Sequence, residues 1–137
     1  MAIIQGLCGA GKALFLRGVP TTDVLKIALY TSQATLSSST TAYTTSNEIV
    51  GTGYAAGGMQ LTGRVAGYSG NTGWLSFDNV YWQFATITAR GALIYDSSQS
   101  NTAIAVLDFG ADVSVTNATF KVTFPAASAT TAVIRFN

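Results

Sequence analysis

Residues 86–95 read Thr86-Ile87-Thr88-Ala89-Arg90-Gly91-Ala92-Leu93-Ile94-Tyr95, followed by Asp96-Ser97-Ser98-Gln99-Ser100-Asn101 and then by Thr102-Ala103-Ile104-Ala105-Val106-Leu107-Asp108-Phe109. On an extended chain Ile87, Ala89, Gly91, Leu93 and Tyr95 share one face, and Thr88, Arg90, Ala92 and Ile94 the other, because side chains alternate with a period of two. The six residues between the two runs are polar turn formers with no apolar anchor. The stretch is therefore strand, loop, strand.

The same pattern extends outward in both directions. Residues 24–31 form a strong strand, with Leu25, Ile27 and Leu29 on one face and Lys26 and Tyr30 on the other. Residues 59–62, 64–68, 74–77 and 80–84 are shorter strands, broken by Gly63 and by the turn-rich 69–73. In residues 119–124 Phe120, Val122 and Phe124 face inward, and Pro125 ends the run. Residues 132–136 form a last strand. Near the N-terminus residues 10–18 are good helix formers that close on Gly18, with Pro20 just beyond. About eight strands with turn signals between them, and no repeated helical crossover, predict an all-β chain. The expected architecture is an antiparallel jelly-roll-like β-sandwich with a short N-terminal helix. One domain is expected over residues 1–137, with an N-terminal arm and short helix in 1–23 and the sandwich in 24–137.

Two segments interrupt the alternation. Residues 32–47 are nearly all Ser, Thr, Ala and Gln, with Tyr43 as their large aromatic, and read as a long excursion from the sandwich. Tyr43 would anchor that loop either to the body or to a partner. Residues 50–58, with four glycines, make a turn that calls for positive φ or close backbone approach.

Composition narrows the function. Charged residues are 9% of the chain, against a usual figure of about 25%. The seven basic side chains are spread along the chain with a net charge of +1, so no basic stripe exists to collect a phosphate backbone and no nucleic-acid partner is expected. No apolar run reaches the roughly 20 residues of a spanning helix. Residues 1–6 lack the basic and apolar regions of a signal peptide, which argues against an exported β-barrel, so no membrane is expected. Cys8 has no second cysteine to bridge with, which suits a reducing compartment. So few charges on so many strands leave edges and apolar patches that neighbouring chains would cover, and a permanently assembled protein is expected.

Few residues here suit chemistry. Gly6-Leu7-Cys8-Gly9-Ala10-Gly11-Lys12-Ala13 matches a phosphate-binding loop at Gly6, Gly11 and Lys12, but Ala13 stands where a magnesium-binding Ser or Thr is needed. A glycine-rich loop before a short helix is the better reading. Asp23, Glu48, Asp78, Asp96, Asp108 and Asp112 are scattered, and Phe109-Gly110 reads as a turn between the last two. Asn117-Ala118-Thr119 also reads as a turn. With no His in the chain, a Ser-His-Asp or Cys-His arrangement is impossible. No enzyme activity, metal or cofactor is expected. Most aromatics should be core, and Tyr81 and Trp82, adjacent in a strand, should point to opposite faces.

Three groups of blocks, taken in order, resemble small virion structural proteins of tailed bacteriophages. They are Lys26-Ile27-Ala28-Leu29-Tyr30-Thr31-Ser32 with Thr41-Ala42-Tyr43-Thr44; then Gly51-Thr52-Gly53-Tyr54-Ala55-Ala56-Gly57-Gly58; then Trp82, Thr86-Ile87-Thr88-Ala89-Arg90 and Leu93-Ile94-Tyr95-Asp96. The resemblance covers roughly residues 10–124, and its specificity lies in the ordered series. It implies a capsid decoration (cement) protein on the outer surface of a head with the HK97-type capsid fold, assembled in the host bacterial cytoplasm. The family brings no catalytic residues. The expected partners are the major capsid protein and a second copy of the chain, as a homodimer, with a trimer as the alternative. The expected contact residues are Met1, Ile3 and Ile4 in the N-terminal arm, Leu36 and Tyr43 in the 32–47 loop, Tyr54, and Phe136 at the C-terminus. The rival reading is a tail or receptor-binding module that recognises host glycan through Trp74, Tyr81 or Trp82.

Overall fold

The computed structural model describes residues 2–136. Nine elements follow one another: β1 (Gly6–Leu7), α1 (Gly9–Arg17), β2 (Leu25–Tyr30), β3 (Met59–Gln60), β4 (Val65–Ser69), β5 (Thr72–Ser76), β6 (Val80–Asp96), β7 (Thr102–Val122) and β8 (Ile134–Phe136). The chain is mostly antiparallel β-sheet with one short helix, as the alternation predicts. No helix among the described residues is long and apolar enough to cross a membrane.

The strands form two sheets, in the orders β1-β7-β6-β2-β3 and β4-β5-β8. The chain divides into two compact units, one holding residues 1–60 and 82–120, the other residues 61–81 and 121–137. The long strands β6 and β7 contribute residues to both.

The first unit is built on β2 and β6, which pair antiparallel from Leu25↔Asp96 to Tyr30↔Gly91. β2 has neighbours on both sides and is buried almost throughout, as its apolar run requires. One cluster of the core joins Ile3, Cys8, Ala28, Tyr30, Leu36 and Val106. Tyr54, Trp82, Phe120 and Phe109 form a chain of rings with centroids 6.1–6.2 Å apart. Helix α1 turns Leu14 inward and leaves Leu16 89% exposed. It ends where the sequence predicts, with Gly18 at φ 93 donating its N–H to the Phe15 carbonyl.

Two glycines are dictated by space. A Cβ on Gly11 would lie 2.7 Å from the Ile104 Cα, so only glycine lets the helix rest on β7. Gly58, at φ 80, presses on the Ile27 carbonyl where no Cβ would fit, and this close approach sets the Ile27↔Met59 pairing of β2 with β3.

In the second unit β5 lies between β4 and β8, with registers running Val65↔Ser76 to Ser69↔Thr72 and Gly73↔Phe136 to Leu75↔Ile134. Phe77 and Phe124 pack at 5.8 Å, and the Asn79 side-chain oxygen accepts the Phe124 N–H at 2.9 Å. Lys121 lies over the Tyr81 ring, 5.4 Å from its centroid.

Three sequence expectations need correction. Residues 110–118, read as turn and loop between the strands 102–109 and 119–124, belong to β7, which spans residues 102–122; the left-handed Gly110 (φ 83) and Asn117 (φ 47) do turn the chain, since the Phe109 and Phe120 ring centroids lie 6.2 Å apart where a straight strand would set the two residues about 36 Å apart. Residues 80–84 and 86–95 likewise form one strand, kinked at Phe84 (φ 52). At Phe84 a single left-handed residue bends the ladder without ending it. Finally, Gly6–Leu7 form a strand on β7, pairing Gly6↔Val106 and Leu7↔Ala105, where the sequence suggests only loop.

Candidate functional site

The most elaborate polar arrangement surrounds Glu48, which is 8% exposed. Its carboxylate accepts three hydrogen bonds: from the Tyr43 hydroxyl at 2.7 Å, from the Tyr54 hydroxyl at 2.5 Å and from the Gly57 N–H at 2.8 Å. No cation takes part in these three bonds. A buried carboxylate is costly unless its oxygens are satisfied, and three donors on two oxygens meet that requirement.

The network continues outward through tyrosines. The Tyr54 oxygen also accepts the Leu29 N–H at 3.0 Å, tying the loop to β2. Tyr95 donates to the Gly57 carbonyl at 2.6 Å, and Tyr43 stacks on the Tyr95 ring with centroids 4.7 Å apart. Tyr30 donates to the Thr44 carbonyl at 2.6 Å. Burial raises all four phenol pKa values above the ordinary range, and the Glu48 charge raises them further, most directly through its hydrogen bonds to Tyr43 and Tyr54. All four thus remain donors over the whole physiological range. The geometry can hold a loop.

The long Ser/Thr segment is accordingly tied down rather than a free arm. Ala34 and Leu36 are each 1% exposed. The Gly9 N–H donates to the Ser38 carbonyl, Ala103 N–H to the Thr41 carbonyl, and Tyr43 N–H to the Asn101 carbonyl, all at 2.9 Å. Of the two roles open to Tyr43, the one seen is as an anchor to the body.

The other predicted contact residues fall in unlike environments. Met1 lies outside the described residues. Ile3 is 9% exposed and forms a parallel bridge with Leu36, so both side chains belong to the core. Ile4 is 59% exposed, while its N–H donates to the Leu36 carbonyl at 2.8 Å. Tyr54 is half-buried over Trp82. Phe136 is half-buried and pairs with Gly73. Of the aromatics suggested for glycan, Trp82 is 2% exposed and Tyr81 45%, on opposite faces of β6 as expected.

The phosphate-loop match has a structural use. The Cys8 N–H donates to the Ile104 carbonyl at 2.7 Å and the Gly9 N–H to Ser38, so these two donors are engaged within the fold. Burial pushes the Cys8 thiol up to about 11. Among the described residues no group of three or more His, Cys, Asp or Glu is placed to hold a metal. Asp108 pairs with Arg90 at 3.3 Å and accepts the Gly110 N–H at 2.9 Å, fixing the turn at Gly110.

The exposed surface of the first unit is the second candidate. Phe84 is 75% exposed although its backbone is left-handed, a conformation rare for a bulky residue. Val50 is 96% exposed. Val50 lines an open groove of about 460 Å³, together with Ile87 and the hydroxyl-bearing Thr86, Thr88, Ser114 and Thr116, and no lining residue is charged. Sequence reasoning placed Phe84 in a strand but gave no sign of its exposure, because the kink that turns it outward carries no glycine. No family model matches the chain, and no curated protein or solved structure matches it either.

Proposed function

We propose that the chain is a structural protein of a tailed-phage virion, a capsid decoration protein on the outer head surface that bridges HK97-fold major capsid subunits. The observation that carries this reading is Phe84, an exposed aromatic held at φ 52. Such backbone strain costs on the order of 1–3 kcal/mol and persists mainly where a contact uses it. Ile4, Leu16 and Val50 of the same unit are also more than half exposed, on a chain with only 9% charged residues. A neutral, partly apolar surface of this kind suits lasting burial against other protein.

The mechanism is physical. Contacts that exist only in the mature lattice stabilise that lattice by mass action. A fold closed by its own Glu48–tyrosine network meets the lattice with little further ordering, which keeps the entropic cost of binding low. A jelly-roll-like packing of the sheets, assembly in the bacterial cytoplasm and the major capsid protein as partner are parts of this proposal. The test is the copy number of this chain in purified virions, measured by mass spectrometry against the major capsid protein. A ratio of one, or a simple fraction such as one-third, is expected; a handful of copies would contradict the proposal and favour a tail location.

A further inference from the structure

Four strands end the two sheets, β1 and β3 the first, β4 and β8 the second. β1 and β3 have two residues each and β8 has three, and edges so short give another chain little to pair with. β4 has five, Val65-Ala66-Gly67-Tyr68-Ser69, without a charge or a Pro, and all are exposed except the half-buried Gly67. Its only strand neighbour among the described residues is β5. Gly70 and Asn71 alone join the two strands, so the closing pair Ser69↔Thr72 is hydrogen-bonded, and Gly67↔Trp74 and Val65↔Ser76 follow by alternation. The N–H and C=O groups of Ala66 and Tyr68 therefore point away from β5, along the open edge. A Cβ on Gly67 would lie 2.5 Å from the Trp74 Cζ2, so the indole lies across this glycine, over the outer strand. Tyr68, on the opposite face, is 82% exposed.

We propose that β4 is a strand-addition site whose occupant is β4 of a second copy, paired antiparallel about a two-fold axis at Gly67. The register argues for this occupant. Centred on Gly67, Ala66 of each copy faces Tyr68 of the other, and every outward N–H and C=O of the two strands finds a partner. A centre at Ala66 would set Tyr68 against Arg64, and a centre at Tyr68 would set Ala66 against Gly70, both beyond the ends of the strand. On one face each Tyr68 ring then covers the Ala66 opposite it. On the other, the two glycines meet as a non-hydrogen-bonded pair with Cα atoms about 4.5 Å apart, which brings the two Trp74 indoles side by side. Charge agrees with this direction. Antiparallel pairing sets Arg64 opposite Gly70, so the two Arg64 residues stand about 20 Å apart along the strands. That exceeds the Debye length of about 8 Å at physiological salt. Parallel in-register pairing would bring them to about 4.8 Å.

An interface of one strand edge lies at the small end of the specific range, below about 1,200 Å². The dimer is thus expected to dissociate on dilution. This inference stands apart from the capsid proposal, since a chain that never met a capsid would still self-pair.

The test combines sedimentation of the unaltered protein over a wide concentration range with disulfide crosslinking of Ala66→Cys and Tyr68→Cys, each alone and the two mixed. Both positions are exposed, and the fully buried Cys8 stays silent. A reversible monomer–dimer shift is expected, with the mixed proteins crosslinking several-fold faster than either alone, because only the mixture sets cysteine opposite cysteine. Ala66→Pro removes an outward N–H and leaves the β4–β5 bonds in place, so it should abolish the dimer. A monomer at every concentration, no gain on mixing, or an Ala66→Pro protein that dimerises as the unaltered one does would overturn the proposal, whatever the virion copy number proves to be.

Discussion

The 43–57 segment and the 110–119 segment of the first unit each carry a single acid, Glu48 and Asp112, and end in opposite environments. The first is long, polar and irregular, yet it is closed down by Glu48, four tyrosines and backbone hydrogen bonds. The second is assigned to strand, yet it turns back on itself so that the Phe109 and Phe120 rings meet at 6.2 Å, and every residue in it but the half-buried Val115 is exposed. Strand assignment and burial thus come apart. A loop is rigid when its polar groups find partners, whatever its secondary structure.

Raising the pH breaks the closed segment most completely. Each of the four phenols has a pKa raised in the folded state, so the folded protein holds those protons more tightly than the unfolded chain. Stability is therefore intact below the unfolded phenol value of about 10 and declines as pH rises beyond it. Tyr30 and Tyr95, 0% and 2% exposed, each contribute a slope of up to about 1.4 kcal/mol per pH unit. Urea midpoints measured from neutral pH to above 10 should fall steeply at the alkaline end; a flat profile would contradict the network.

Next in size is Glu48→Ala, which strands two phenols and the Gly57 N–H. The expected loss is about 3 kcal/mol by chemical denaturation. Tyr43→Phe removes one donor and keeps the stack on Tyr95, so about 1 kcal/mol is expected, with the fold retained. At the other extreme, Val113→Lys in the exposed 110–119 segment should change stability by no more than about 0.5 kcal/mol. A loss comparable to that of Glu48→Ala would mean that Val113 is packed within the chain.

The sequence made the elements with clean periods legible. β2, the 86–95 run, the 102–109 run, the inward set Phe120, Val122 and Phe124, and the stop at Gly18 all lie where two-residue or helical spacing puts them. At Gly110 and Asn117 the sequence showed the chain bending but not that the strand assignment continues through both, and at Phe84 it showed nothing, because no turn former marks the left-handed residue. Glu48 was visible only as one of six scattered acids. Its partners at positions 43, 54 and 57 follow no local period, since they meet only after the loop folds back on β2. Tyr43 and Tyr54 could be singled out as aromatics in polar surroundings, but not the acceptor that joins them.

Amide hydrogen exchange tests the contrast most directly. The account predicts that the N–H groups of Tyr43, Ile49 and Gly57 are strongly protected, since their acceptors at Asn101, Leu29 and Glu48 lie within the chain. The amides of the exposed 111–116 stretch should exchange faster than these three. Rapid exchange at Tyr43, Ile49 and Gly57, or protection of 111–116 equal to theirs, would contradict it.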